Sequence, residues 1–242
     1  MPTSIELHAH GFKSIYLNKD LSSGLSPETV KAYINQRQRW AKAAVQIFLT
    51  NNPLFKKGLS KAQKFNYFAS LYYFFHAFPR LIFLSWPMWF IFFGQKPLLV
   101  HISFLLSYFD AHYITQTFTF NLISHKHRNV FFNDVYEAIM SFPLAFTVIT
   151  TLVSPFKNKP SATPKGEFFL RRKVELWVLP HFALALLLLA AVLSGSWKLL
   201  SVTEKEFWPL AVNLGWAMYS FFVMVVTVEA AVEQPQRRKV IR

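Results

Sequence analysis

Four stretches of the chain, at about residues 68–93, 98–122, 174–199 and 207–232, stay predominantly apolar for the roughly 20 residues that a helix needs to cross a bilayer. In hydrocarbon a backbone must satisfy its own hydrogen bonds, so each stretch is restricted to a helix. Short connections at about 94–97 and 201–206 fold the four into two hairpins. More than half of the 242 residues are apolar and Phe alone occurs 27 times, yet the net charge is +14. A soluble domain seldom combines these properties, whereas a membrane protein does so by confining its cations to one side. The expected class is a mainly α, polytopic membrane protein with four transmembrane helices plus interfacial helices. The chain contains no cysteine, which excludes disulfides and thiolate metal sites. Its opening residues, MPTSIE, lack the basic start and apolar core of a cleavable signal peptide, so the first membrane helix is expected to act as the insertion signal.

A fifth apolar run, about 138–155, is shorter, contains Pro143 and follows the mixed polar and aromatic stretch FFNDVYE at 131–137. Basic residues flank it on both sides, His125, Lys126, His127 and Arg128 before it, and Lys157, Lys159, Lys165, Arg171, Arg172 and Lys173 after it. Loops rich in Lys and Arg stay in the cytoplasm, so both flanks sort to one face and the run does not cross. Region 131–155 is then an interfacial helix or a re-entrant element. The Lys-rich first 67 residues and Arg237, Arg238 and Lys239 sort to the same face. Four spans with both termini cytoplasmic follow. The lipid bilayer is an expected partner and nucleic acid is not.

Ahead of the membrane segments, residues 3–10 allow one short helix, and 14–17 read as a brief β-strand after a turn at Gly11. SPET at 26–29 is a helix start, with Ser26 as N-cap, Pro27 at the first helical position and Glu28 in the first turn. That helix runs to about Leu49 and is stopped by NNP at 51–53. Gly58 turns the chain, and Ser60 caps a further helix that leads into the long apolar segment.

The first of these long helices carries QRQRW at 36–40. Helical spacing puts Gln36, Arg39 and Trp40 on one face. Two readings compete. A basic amphipathic helix beside a membrane commonly anchors to anionic lipid. Against that, a guanidinium is a planar fork that grips a pyrophosphate, and an indole is a flat apolar platform for the C–H face of a pyranose; an anchor needs neither.

LHAHGFKSIYLNKDLSSGLSPETVKAYINQRQRWAKAAVQIF at 7–48, NNPLFKKGLS at 51–60 followed by PRLIFL at 79–84, TPKG at 163–166 and the closing arginines occur in an order that resembles the C-terminal part of a bacterial cellulose synthase catalytic subunit, a processive family 2 glycosyltransferase. The similarity extends over essentially the whole chain. It implies the C-terminal remnant of a GT-A-type α/β glycosyltransferase domain at 1–50 with the QxxRW helix, an interfacial segment and first hairpin at 51–130, an interfacial helix and gating-like loop at 131–173, a second hairpin at 174–232, and the start of a PilZ linker at 233–242.

The resemblance also implies roles. Gln36 and Arg39 would face the nucleotide diphosphate and Trp40 would stack on the terminal glucose of the acceptor, in glucosyl transfer from UDP-glucose to a β-1,4-glucan. Thr163 and Lys165 would belong to a loop that enters the site over bound nucleotide, although Pro160 and Ala162 stand where the family's loop has Phe and Val; read without the family, 159–166 is a solvated loop. Arg238 and Arg242 form an Arg-x-x-x-Arg pair, either a juxtamembrane basic anchor or half of a cyclic di-GMP clasp. The family uses a divalent cation, Mg2+, but no Asp-x-Asp or Thr-Glu-Asp occurs in this sequence, so no catalytic residue is assigned and the chain is expected to be inactive alone. Expected partners are therefore an N-terminal catalytic half and a periplasmic membrane-anchored synthase subunit, and the expected place is the bacterial inner membrane. The alternatives are a non-enzymatic glucan-channel or scaffold protein, or part of another processive family 2 enzyme.

Within the spans, Arg80 and Asp110 fall at similar depth in the first hairpin, which suggests an intramembrane ion pair. Tyr67, Tyr72, Tyr73, Trp86, Trp89 and Tyr108 suit either a polysaccharide path or ordinary lipid contact and packing. His8 and His10 diverge on a helix, His125 and His127 sit in a basic turn, and no metal site is read from them.

Overall fold

The computed structural model describes residues 1–19, 21–24, 26–27, 29–94, 102–124, 129–157 and 173–233. It is mainly helical: α1 (Pro2–Ala9), α2 (Val30–Thr50), α3 (Lys61–Tyr72), α4 (Ala77–Phe93), α5 (Ile102–Ile123), α6 (Val130–Val153), α7 (Leu179–Leu199) and α8 (Glu204–Ala230). Single 3-10 turns at Tyr73–His76 and Leu176–Val178 precede α4 and α7. Two-residue strands β1 (Lys173–Val174) and β2 (Val232–Glu233) pair antiparallel, Lys173 with Glu233 and Val174 with Val232.

Three of these elements have the length and apolarity to cross a membrane: α6, the segment Leu176–Leu199 that includes α7, and α8. The apolar stretch expected at 68–93 is not one uninterrupted α-helix. α3 ends at Tyr72, the backbone tightens for one turn, and α4 then runs for 17 residues. The run at 138–155 belongs to a 24-residue helix that continues through Pro143, so by length and composition α6 qualifies as a span.

The chain divides into two compact units. One comprises Met1–Phe78, Pro143–Glu175 and Val232–Arg242; the other comprises Pro79–Phe142 and Leu176–Ala231. In the first, α1 docks through Ile5, which is fully buried, and through Glu6, whose carboxylate accepts from Lys56 Nζ at 2.5 Å and Asn51 Nδ2 at 3.0 Å. His8 and the Tyr67 hydroxyl lie 2.8 Å apart, and burial pushes the Tyr67 phenol pKa up. Gly58 takes φ +86° with its Cα against the Ala9 carbonyl; a Cβ there would lie 2.0 Å from that oxygen, so glycine is required on both counts. Ser60 forms the expected cap, and Gln63 completes a reciprocal capping box.

Two expectations in this unit are corrected. Residues 14–17 are not a strand: Ile15 is 94% exposed, and among the described residues none forms a ladder with its backbone. The cap of α2 is Thr29 and not Ser26. Thr29 has extended backbone angles and its Oγ1 accepts from Ala32 N at 3.1 Å, which leaves Pro27 upstream of the helix.

The second unit packs α4, α6, α7 and α8 around Leu84, Leu188, Val223 and Met224 at one level, and around Phe90, Ile91 and Leu210 at another. Helices this apolar are held by close van der Waals packing, and small residues at their contacts allow it. Ala138, Ala185, Ala191 and Ala217 occupy these contacts, and Gly195 brings α7 so close that a Cβ would sit 3.2 Å from Leu214 Cδ1. Pro143 lacks an N–H for the Ile139 carbonyl. Buried His181 packs against this part of α6: it hydrogen-bonds the Ala138 carbonyl at 3.2 Å, with its ring edge-on to Phe142 and Trp177.

Candidate functional site

α2 buries Ile34, Ala41 and Val45, which recur at sevenfold and fourfold spacing, and so turns its remaining faces outward. Trp40 is 46% exposed, while Gln36 and Arg39 are half-buried near it on the helix surface. The platform and the donors expected from QRQRW are therefore on the surface of one rigid element. Spacing did not single out Arg37. Its guanidinium carbon lies 5.1 Å from the Tyr33 ring centroid and 5.0 Å from that of Trp40, so the cation is held between two aromatic side chains. Tyr33, Arg37 and Trp40 stand four and three residues apart, the signal that a search for stacked triplets would have used.

Two glutamines fix α2 lengthwise against α6. Gln38 Nε2 donates to the Pro143 carbonyl at 3.2 Å, which also accepts from Thr147 Oγ1 at 2.8 Å, and Gln46 Nε2 donates to the Pro155 carbonyl at 2.6 Å. Further along the chain, Lys31 Nζ lies 2.8 Å from the Glu175 carboxylate, which is only 6% exposed. Thr163 and Lys165 fall in 158–172, outside the described residues, as do Arg238 and Arg242. The residues that flank 158–172 are both tied to α2, Pro155 through Gln46 and Glu175 through Lys31. Beside Glu175, β1 pairs with β2, the last described residues before Arg238.

Among the described residues, no three His, Asp or Glu side chains converge as a metal cluster. Arg80 has a partner that its depth in the first hairpin did not point to. Arg80 Nη1 lies 2.8 Å from Asp134 Oδ1, Nη2 donates to the Asp134 carbonyl at 3.2 Å, and the Tyr219 hydroxyl donates to Asp134 Oδ2. The side chain of Asp110 lies outside the described residues. Of the aromatics singled out above, Tyr72, Tyr73, Trp89 and Tyr108 are exposed; Tyr72 also stacks between Phe68 and Phe75 at 5.9 and 5.8 Å.

The sequence model of a family described as cellulose synthase matches residues 1–227. The chain belongs to the cellulose synthase family. Among the relatives, cellulose synthase 1 of Komagataeibacter xylinus is 32% identical over 242 residues, which cover 98% of this chain and 15% of that protein. The cellulose synthase catalytic subunit (UDP-forming) of Pseudomonas fluorescens (strain SBW25) is 30% identical over 238 residues, 98% of this chain and 32% of that protein. The cellulose synthase 1 catalytic subunit (UDP-forming) of K. xylinus is 29% identical over 243 residues with the same coverage. The chain thus spans a third or less of the length of these cellulose synthases.

Proposed function

We propose that the chain supplies the acceptor side of a cellulose synthase, which transfers glucose from UDP-glucose to the end of a β-1,4-glucan and passes the polymer through the inner membrane. The observation that carries this reading is the half-exposed Trp40 beside Gln36 and Arg39 on α2, in a chain of this family. As the acceptor hydroxyl bonds to the anomeric carbon, the bond to UDP breaks and negative charge grows on the diphosphate. Gln36 and Arg39 donate hydrogen bonds to that charge, and Trp40 holds the terminal sugar by stacking. Thr163 and Lys165 act from the segment whose flanks are tied to α2, and Arg238 and Arg242 contribute to a cyclic di-GMP site.

The Mg2+ ligands and the catalytic base come from a transferase portion outside this sequence, to which residues 1–50 add the last part of a GT-A-type domain. In this reading α4, α5, α7 and α8 are the four spans, both termini are cytoplasmic, and a periplasmic membrane-anchored subunit binds on the far side. α6 lies at the interface, a placement supported by the basic residues on both its flanks and by the glutamine ties of its second half to α2, a helix with four cations.

Incorporation of labelled UDP-glucose into glucanase-sensitive polymer tests the reading. Membranes holding this chain alone should incorporate nothing, addition of the Asp-x-Asp and Thr-Glu-Asp portion should restore synthesis, and Trp40→Ala should then lower it at least about fivefold, since a lost stacking platform is worth about 1–3 kcal/mol. Synthesis by the chain alone would overturn the division of labour, and an unchanged Trp40→Ala rate would overturn the acceptor role. No synthesis even with the added portion would favour a glucan-channel or scaffold protein.

A further inference from the structure

We infer that Arg37 is a positioning residue for the acceptor platform: its guanidinium, wedged between Tyr33 and Trp40, fixes the indole and covers part of one ring face, so that a pyranose is received on the other. The inference rests on the reading of Trp40 as that platform.

The contacts of Arg37 are unusual for a cation on a helix surface. Among the described residues its buried Nε has no hydrogen-bond partner, and its guanidinium lies over two ring faces, 5.1 and 5.0 Å away. Arg39, two residues on, is turned about 200° around the helix and cannot substitute for it. A guanidinium is flat and weakly hydrated, so it lies against an aromatic face where an ammonium would stay in water. Trp40 needs such a fixture because it is on the surface. A free indole must be ordered when a sugar stacks on it, at a cost of about 0.5–1.5 kcal/mol per immobilised side chain, whereas an indole already held in place has met that cost during folding. Gln36, a proposed diphosphate donor, stands four residues before Trp40 and so shares its face of the helix.

The test labels the chain with 5-fluorotryptophan in detergent and follows its seven tryptophan lines by fluorine NMR, with Trp40 assigned by the loss of its line in Trp40→Phe. Cellohexaose is the probe. In the wild type the Trp40 line should shift saturably on titration; an immobile Trp40 line would overturn the platform reading itself. Arg37→Met should move the free Trp40 line while the other six stay in place, which shows the fold intact, and should weaken cellohexaose about fivefold, equivalent to about 1 kcal/mol. Arg37→Lys, which keeps the charge without the planar face, should recover only part of that loss. If cellohexaose moves the Trp40 line but Arg37→Met leaves both the free line and the affinity unchanged, the platform stands and the positioning role of Arg37 is overturned. Full recovery by Lys would overturn planar stacking as the cause.

Discussion

Arg37 and Arg80 are the same side chain in opposite electrostatic circumstances. Arg80 is 17% exposed, meets the Asp134 carboxylate and carbonyl, and shares that carboxylate with Tyr219, so its charge is neutralised among three helices. Arg37 meets two ring faces. A guanidinium enclosed among apolar helices needs a counter-ion, because the alternative is a bare charge in a medium of low dielectric. One on the surface of an amphipathic helix can instead lie against aromatic faces, where a weakly hydrated guanidinium needs no carboxylate. The first arrangement ties three helices together, whereas the second ties one side chain to two neighbours on its own helix.

Removal of the cation should therefore have opposite consequences at the two places. Arg80→Met strands Asp134 between helices, and breaking such a pair from one side costs about 3–5 kcal/mol when both groups are buried. With Asp134 22% exposed, about 3 kcal/mol is expected, read as a large drop in the melting temperature of the detergent-solubilised chain. Arg80→Met combined with Asp134→Leu should recover most of it, because the double variant leaves no charge behind. A single variant that melts with the wild type would erase the distinction between the two arginines. Arg37→Met, by contrast, should cost about 1 kcal/mol of stability, the scale of a half-buried cation over an aromatic face.

The ties that hold α2 in place come next in size. Gln38→Ala and Gln46→Ala each remove one hydrogen bond to a carbonyl of the α6 region, for a net loss of about 1 kcal/mol apiece. Gln38 lies inside the QRQRW motif yet, by this argument, serves packing. Its substitution should lower stability while leaving the Trp40 fluorine line in place, the reverse of Arg37→Met. If Gln38→Ala moves that line as far as Arg37→Met does, Trp40 is positioned by the whole helix and not by its neighbour.

What could be read from the sequence was what depends on neighbours within a turn or two. QRQRW could be placed on a helix, and Ser60 as a cap, because helical periodicity and capping are local. Ser26 and Thr29 flank Pro27 as rival caps, and the choice between them rests on which hydroxyl reaches a free N–H, a matter of backbone angles. Ile15 and Leu17 alternate as a strand would, but a strand also needs a partner, which this local pattern does not supply. Counting depth from a turn suggested Asp110 for Arg80; depth says nothing about helix rotation, and α4 presents Arg80 to α6. The Gln38, Gln46 and Lys31 ties span about a hundred residues or more and left no pattern to read.

The smallest effect expected is at a third kind of charge, Glu6, whose pair with Lys56 is on the surface of the first unit, with side chains 44% and 27% exposed. Hydrogen bonds from Lys56 and Asn51 hold the Glu6 pKa below its ordinary value. A carboxylate with a depressed pKa in the folded state adds stability that is fully present above its unfolded value of about 4.3 and is lost as pH falls through the lower folded value. Melting of the wild type should thus decline between pH 6 and pH 3.5 by slightly more than melting of Glu6→Gln, and the difference should shrink in high salt because the pair faces water. Arg80 and Asp134 give the contrast, since their mutual contact is sheltered and added salt should change the effect of Arg80→Met far less. Equal salt sensitivity at both pairs would mean that Asp134 is as open to solvent as Glu6, and the contrast between a helix-locking arginine and one stacked on its own helix would lose its physical basis.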